Sequence, residues 1–397
     1  MQAVGLIVVC VAFIVGVFVL GVNFGNGEIE FGGAHFIQIG TSNSNLAGSL
    51  NYSQIQQEYN VIKNNFDGKL TTSELQDGIE HSLASSTGDP HTEYFTNTEA
   101  NEFNDELNNT FSGIGAELDQ NSSNQLVIVA PLADTPASKA GLQPKDIIET
   151  INGVNASNYT LDQAVSKIQG TAGTQVTLGI LRGTVNMTFK ITRATITIPS
   201  VYYKVIDNNI GYISISSFAN DTSGLMQTAA NTLKADKVKG IILDLRDNPG
   251  GLVQAAINVS SLWLPAGDTI VTEKHDNKVI QTYYSTGNDI LQGIQTVILV
   301  NDGSASASEI TSAALHDNHA ASLIGQKTYG KGSVQELFPL AGGSEIKVTI
   351  YHWYTPDNKN IDKVGITPDI TIVPTTADNN AGIDVQLNKA VTFLQNL

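Results

Sequence analysis

The residues in this sequence best placed to do chemistry are a serine and a lysine, each set among small residues. The serine lies in Asp302-Gly-Ser-Ala-Ser306-Ala-Ser-Glu-Ile310 and the lysine in Gly325-Gln-Lys-Thr-Tyr-Gly-Lys331-Gly-Ser-Val-Gln335-Glu-Leu-Phe338. Ser306-Ala-Ser-Glu309 fits the S-x-x-E capping box, with Ser306 as N-cap and Glu309 reaching back to its amide. Ile310, Ala313, Ala314 and Asp317 continue one helical face until Asn318 ends it. A serine at that junction lies among free N–H groups at the positive end of a helix, where an oxyanion is stabilised. By itself the pattern is that of an ordinary helix cap. Lys331 changes the weight, because it is held between Gly330 and Gly332, where backbone can pack closely around it. Burial disfavours an ammonium, and a neutral lysine can take a proton from a serine hydroxyl. An ordinary solvated lysine at this position is the alternative the local residues leave open. Lys327 is the nearby competitor for the role.

Taken together and in order, these residues resemble the C-terminal processing (tail-specific) peptidases, Ser/Lys serine proteases that carry a PDZ domain. The shared signature is S-A-S-A-S-E-I, then the lysine of a G-K-G, then a glutamine four positions on. The resemblance extends over most of the chain after residue 50. It implies Ser306 as nucleophile, Lys331 as general base and Gln335 as the residue orienting the lysine. It also implies an oxyanion hole formed by the Gly251 and Ala307 amides, and no cofactor. In an extended strand Lys331 and Gln335 would lie about 13 Å apart at ~3.3 Å per residue, so direct contact calls for a turn or bulge, expected at Gly332-Ser333. Two positions depart from the family: Gln326 stands where glutamate is common, and Lys359-Asn360 where an arginine is common.

Such a site needs a rigid sheet behind it, and the patterns supply one. Ile210-Gly-Tyr-Ile-Ser-Ile-Ser-Ser-Phe218 alternates with period 2, and 221–233 reads as a helix. Gly240-Ile-Ile-Leu-Asp-Leu-Arg-Asp-Asn-Pro-Gly-Gly251 is a continuously apolar strand running into a glycine turn, followed by a helix over 252–262. Residues 296–301 form another buried strand that delivers the chain to Ser306, while 320–324 and 334–340 bracket Lys331. Continuous apolar strands flanked by helices argue for a sheet covered on both faces. Gly250-Gly251 can present N–H groups without side-chain obstruction. Asp244, Arg246 and Asp247 read as a buried charge network shaping that turn, Arg246 being a bidentate partner. A strand over 346–354 and a helix over 384–394 close the chain.

Upstream, 52–83 has helical spacing with a break at Asp67-Gly68 and a start at Thr72-Ser-Glu-Leu. Gly88-Asp-Pro-His-Thr is similar to a D-P-[HY]-T segment of the same family. Residues 110–193 look like a PDZ module, in which a peptide adds as a strand beside the 114–118 edge. Its terminal carboxylate would meet backbone amides around Gly113, Ile114 and Gly115. His91, His316 and His319 have no metal-ligand spacing and read as structural or solvated, so no metal is assigned.

Composition sets the outer limits. The net charge of −17 arises from 38 acids against 21 bases with no basic cluster, which argues against a nucleic-acid partner. The lone cysteine, Cys10, excludes an internal disulfide, and Cys10 lies in the apolar N-terminus. Ala3–Val22 carries no charge over about twenty residues, long enough to cross ~30 Å of hydrocarbon. With no small-x-small cleavage site it reads as an uncleaved signal anchor. The first basic residue is Lys63, so flanking charge does not set the orientation, and an extracytoplasmic catalytic part is what the resemblance implies.

The expected fold class is a multidomain α+β chain. It comprises a transmembrane anchor (1–24), a linker (25–50), a helical region (51–109), a PDZ domain (110–194), a crotonase-like α/β protease core (195–375) and a C-terminal helical segment (376–397). The expected function is a serine endopeptidase acting near the C-termini of protein substrates with exposed apolar tails, anchored to a membrane, with oligomerisation open. A catalytically silent PDZ adaptor is the alternative from another class, and a crotonase-like acyl transferase is a third that lacks a basic nucleotide site.

Overall fold

The structure, a computed structural model, describes residues 30, 31, 34, 35 and 51–396. The anchor expected over 1–24 and most of the linker lie outside the described residues. Two compact units are distinguished, residues 1–86 and 87–397. Among the described residues no helix is long and apolar enough to cross a membrane.

In the first unit Glu30–Phe31 (β1) pairs with Ala34–His35 (β2), and two helices follow, Tyr52–Asn65 (α1) and Thr72–Ser85 (α2). The break falls at the expected Asp67-Gly68. The N-cap of α2 is Thr71, one residue earlier than the sequence suggested, and it closes a reciprocal box with Glu74. The division at Ser86 places the third helix of the 51–109 stretch, Asn97–Leu107 (α3), in the second unit.

The second unit begins with Glu93–Phe95 (β3), α3 and Thr110–Gly113 (β4). Next comes an antiparallel sheet built from Ala116–Gln120 (β5), Leu126–Pro131 (β6), Ile147–Ile151 (β7), Gln175–Arg182 (β9) and Val185–Thr192 (β10). Its order is β10-β9-β7-β6-β5, with the short Val154–Asn155 (β8) beside β7, so β5 is an edge strand. Helices Pro136–Ala140 (α4) and Leu161–Ile168 (α5) complete this module over a core that includes Ile128, Leu178 and Ile180. The chain leaves through Ala194–Thr197 (β11), which pairs antiparallel with β4, so entry and exit strands hold one another.

The remainder is a six-stranded sheet. Val201–Ile206 (β12) runs antiparallel to Ile210–Ile215 (β13). Gly240–Asp244 (β14), Thr296–Val300 (β17), Ser322–Gly325 (β18) and Ile370–Thr371 (β21) then follow in parallel, in the order β12-β13-β14-β17-β18-β21. Every residue of β14 and β17 is buried. Both faces are covered, as the unbroken apolar runs required. Thr222–Ala235 (α6), Val253–Ser260 (α7) and Ala307–Asp317 (α8) share one core with the sheet, while Val385–Gln395 (α9) packs on the opposite face against Ile242, Leu299 and Ile324.

A second sheet, Lys278–Tyr284 (β16), Thr269–His275 (β15), Glu345–Tyr354 (β20) and Ser333–Pro339 (β19), lies in that order, with β3 on β20. The β15–β16 hairpin was not anticipated. Its strand pattern is interrupted by Glu273 and Lys274, and Glu273 is nonetheless buried.

Candidate active site

Strand β17 carries the chain into a turn held by hydrogen bonds to its neighbours. The Asn301 amide donates to Ser304 Oγ (3.0 Å), which donates to the Leu245 carbonyl (2.7 Å). The buried Asn248 joins this turn to the glycine turn after β14. Its carbonyl accepts from the Ala305 amide (3.0 Å) and from Ser308 Oγ (2.9 Å), and its side chain bridges the Gly250 amide and the Ile215 carbonyl. Ser306 therefore arrives at the N-cap of α8 with φ 52° and ψ −114°, a conformation unusual for a side-chain-bearing residue. Such strain costs on the order of 1–3 kcal/mol and persists only where the surroundings over-determine it. The Ser306 amide donates to Glu309 Oε2 (3.0 Å), the backbone half of the capping box, and the residue lines a cavity.

Gly250 and Gly251 lie on the other side of that serine with φ of 105° and 135°. A Cβ on Gly250 would sit 2.7 Å from Ser306 Cβ and 3.0 Å from the Ala307 nitrogen, and one on Gly251 would sit 2.3 Å from the Phe218 carbonyl oxygen. Only glycine permits this approach. The turn is pinned by Phe218 N–H to Gly250 O (2.8 Å) and Leu252 N–H to Phe218 O (2.7 Å). Neither the Gly251 nor the Ala307 N–H has a hydrogen-bond partner among the described residues.

The lysine wall is held as firmly through its backbone. Gly330 (φ 91°) and Gly332 lie against segment 361–365, where added Cβ atoms would meet Gly365 N at 2.8 Å and Asp362 N at 2.5 Å. The Lys331 carbonyl accepts from Trp353 Nε1 (2.9 Å), and the Gly332 carbonyl from the Trp353 amide (2.9 Å). The Lys331 side chain is half-buried and its ammonium makes no hydrogen bond or ion pair among the described residues. Burial, and then the charge of Lys347, push its pKa below the ordinary lysine range, while Asp89 and Glu309 pull the other way. Lys327 is exposed. Ser306, Lys331, Gln335, Gly250 and Gly251 line one cavity, with Leu252, Val253, Ile310 and Trp353 as its apolar surface.

Glu309 does more than the capping box suggested. Fully buried, it accepts the Ser306 amide (3.0 Å) and the Lys331 amide (2.9 Å) on Oε2, and the Gly330 amide (2.8 Å) and Thr328 Oγ1 (2.5 Å) on Oε1. Burial pushes this carboxyl up, and the four donors act against that. Four donors on two oxygens match an ionised carboxylate. One side chain thus ties the serine wall to the lysine wall.

Gln335 is in the cavity, but its Nε2 donates to Ser333 Oγ (2.8 Å) and Thr349 Oγ1 (3.2 Å), not to Lys331. The expected irregularity is present but displaced: β19 and β20 slip between Val334 and Gln335, with Ile350 of β20 as the extra residue. Gly332-Ser333 stays regular because Trp353 and Asp362 fix Gly332 on both sides.

The charge network also differs in reach. Arg246 binds Asp244 (2.6 Å) but also Asp384 at the N-cap of α9 (2.8 Å), so it docks the C-terminal helix. Asp247 stands apart, exposed and paired with Asn301. Lys359 pairs with Asp357 at the surface, outside the cavity, and Asn360 caps the Asp362 amide. His316 lies between Asp317 (3.0 Å) and Asp369 (3.1 Å) at the far end of α8.

In the β5–β10 module Gly113, Ile114 and Gly115 are all buried, Ile114 packing into the core. Gly113 belongs to β4 and pairs with Ala194. The Ile114 and Gly115 carbonyls are taken by Ala137, Leu132 and Thr135, whereas their N–H groups have no partner among the described residues.

Known proteins resemble this chain in sequence and in fold. Residues 209–372 match the model of peptidase family S41, and residues 127–182 match a PDZ domain. A probable CtpA-like serine protease of Staphylococcus haemolyticus is 36% identical over 350 residues, covering 85% of this chain and 70% of that protein. One from Staphylococcus aureus strain MRSA252 is 37% identical over 342 residues, with coverage of 85% and 68%. A solved S41 protease from Bacteroides fragilis shares the fold, with a TM-score of 0.52 at 16% identity over 84% of this chain and 93% of that one. The chain belongs to peptidase family S41 and is a serine protease that carries a PDZ domain.

Proposed function

We propose that this protein is a membrane-anchored endopeptidase that cuts near the C-termini of its substrates, with Ser306 as nucleophile and Lys331 as general base. Neutral Lys331 Nζ takes the Ser306 Oγ proton as Oγ bonds to the scissile carbonyl carbon. The Gly251 and Ala307 amides hold the oxyanion, and protonated Lys331 gives its proton to the leaving amine as the C–N bond breaks. Water, activated by the same amine, then releases the acid and restores the serine. The observation that carries this reading is a strained serine sharing one cavity with a desolvated lysine and two unspent amides. Gln335, seated on Ser333 and Thr349, needs a rotation to reach Lys331, which would make its engagement part of activation.

The free Ile114 and Gly115 amides beside edge strand β5 suit capture of a substrate's terminal carboxylate by strand addition. Tail binding there would favour the active arrangement if it is tighter in that state. Equal rates after deletion of residues 111–193 would reject this gating. The charge-free Ala3–Val22 run is the proposed anchor, with the catalytic part extracytoplasmic. Loss of membrane fractionation on removing residues 1–24 is the expected result.

The deciding experiment compares wild type with Ser306→Ala on an unfolded protein bearing an apolar tail. Retained cleavage by the variant would reject the nucleophile. Activity requires the uncharged amine, so kcat/KM should rise with pH through a lysine pKa lying below the ordinary ~10.4. A flat profile from acid to alkaline would reject the base.

A further inference from the structure

The cavity holds a second lysine that the reaction above does not use. Lys347, on β20, lines the same cavity as Ser306 and Lys331. It stands opposite Leu337 of β19 on one side and Glu93 of β3 on the other, two cross-strand pairs beyond Gln335 and Thr349. Two contacts keep its ammonium from swinging away. Nζ donates to Glu93 Oε2 (3.1 Å), and it lies over the Phe95 and Phe103 rings, 4.9 and 5.0 Å from their centroids. Those rings are themselves stacked, 4.9 Å apart. The ring faces attract the cation and, with Glu93, hold it in place.

We propose that Lys347 is a positioning residue for proteolysis: a fixed cation in the catalytic cavity that repels a proton from Lys331 and so keeps that amine ready to act as a base. The proposal rests on the Ser306/Lys331 reading. A cation beside a lysine favours the neutral amine of that lysine, and the effect is strongest where water is scarce. The groups facing Lys331 set the balance. Glu309 of α8 and Asp89, from the loop before β3, favour its charge. Glu309 spends both oxygens on four other donors. Asp89 is engaged by Thr92 Oγ1 and the His91 amide. Asp362 binds the Gly332 amide. Glu106 of α3 lines the same cavity, and Glu336 of β19 faces Glu273 instead. Lys347 is the cation set against them, and its partner Glu93 is 53% exposed, where solvent weakens the neutralising charge.

The test measures kcat/KM against pH for the full-length protein and its Lys347→Met, Lys347→Arg and Ser306→Ala variants on a tailed peptide. Methionine keeps the packing on the two rings and removes the charge. The acid limb should move up by about one pH unit, a roughly ten-fold loss at a fixed pH below the limb that is recovered as pH rises. Arginine should keep the wild-type limb. A Lys347→Met limb that stays in place, whether activity is untouched or lowered equally at every pH, overturns the proposal and leaves Lys347 a structural pin. Should the methionine variant fail to fold, Glu93→Gln removes the neutralising partner instead and should move the limb down; an unmoved or raised limb overturns the idea. Cleavage by Ser306→Ala would sink the dyad itself, so the two failures are distinguishable.

Discussion

Two places in this protein each hold a pair of backbone amides without a partner among the described residues, and they are built differently. The Gly251 and Ala307 amides come from separate segments, brought together because Gly250 has no side chain to collide with Ser306. Asn248 and Glu309 tie them in place, and beside them stand a strained hydroxyl and a desolvated amine. The Ile114 and Gly115 amides are consecutive in the chain at the start of an edge strand. The hydroxyl near them, Thr135, is already donated to the Gly115 and Leu132 carbonyls. The first pair has the proposed nucleophile and the proposed base at hand and suits a charge that exists only during reaction. The second has neither and suits a carboxylate that stays. Free amides mark an anion site, and what stands next to them decides whether it is a catalytic one.

The strongest way to break this contrast is Ser306→Ala. Turnover should fall by about 10⁴- to 10⁶-fold, while binding of a tail peptide, read by fluorescence polarisation, should not change. Next comes Gly251→Ala. At φ 135° and with Phe218 O in the way, an added methyl must displace the turn and its amide. Loss of one such donor costs about 10²–10³ in kcat, again with tail binding intact. A smaller effect, roughly 10- to 100-fold, is expected of Glu309→Gln. The amide brings two N–H donors to a site that already contains four, leaving at least one buried donor unpaired at about 1–3 kcal/mol. Both turnover and melting temperature should drop. A variant of full stability and full activity would show that the two walls do not depend on this carboxylate.

The contrast also shows what the sequence could tell. Ser306, Lys331 and the glycine turn were legible because each sits at a junction announced by local pattern: a capping box, a G-K-G, an apolar strand running into Gly-Gly. The module around Gly113–Gly115 was legible for the same reason. Contacts that close across the fold were not. Glu309 reads as a cap because its partners Gly330 and Lys331 are twenty-odd residues away. Arg246 reads as shaping a turn, whereas half of its fork grips Asp384. The partner of Gln335 depended on where β20 inserts its extra residue, and no residue of β19 signals that. Helix α3, whose Phe103 supports Lys347, is polar along most of its length and gave little periodic signal.

Gly115→Ala has the smallest expected effect and sharpens the comparison most. Gly115 has φ 73°, and a Cβ there would lie 2.5 Å from Thr135 Cβ and Cγ2. Thr135 is buried and bonded, so the loop rather than the threonine must give, and the free amides move with it. If those amides only hold the tail, they bind substrate and transition state equally. KM should then rise about ten-fold, equivalent to ~1.4 kcal/mol, with kcat at saturation unchanged. Amidating the substrate's C-terminus should cost wild type a similar factor. Combining both changes should cost little more than either alone, since they remove the same interaction. A fall in kcat of the same size would mean instead that the loop gates Ser306 and Lys331, and that the two amide pairs are coupled rather than separate.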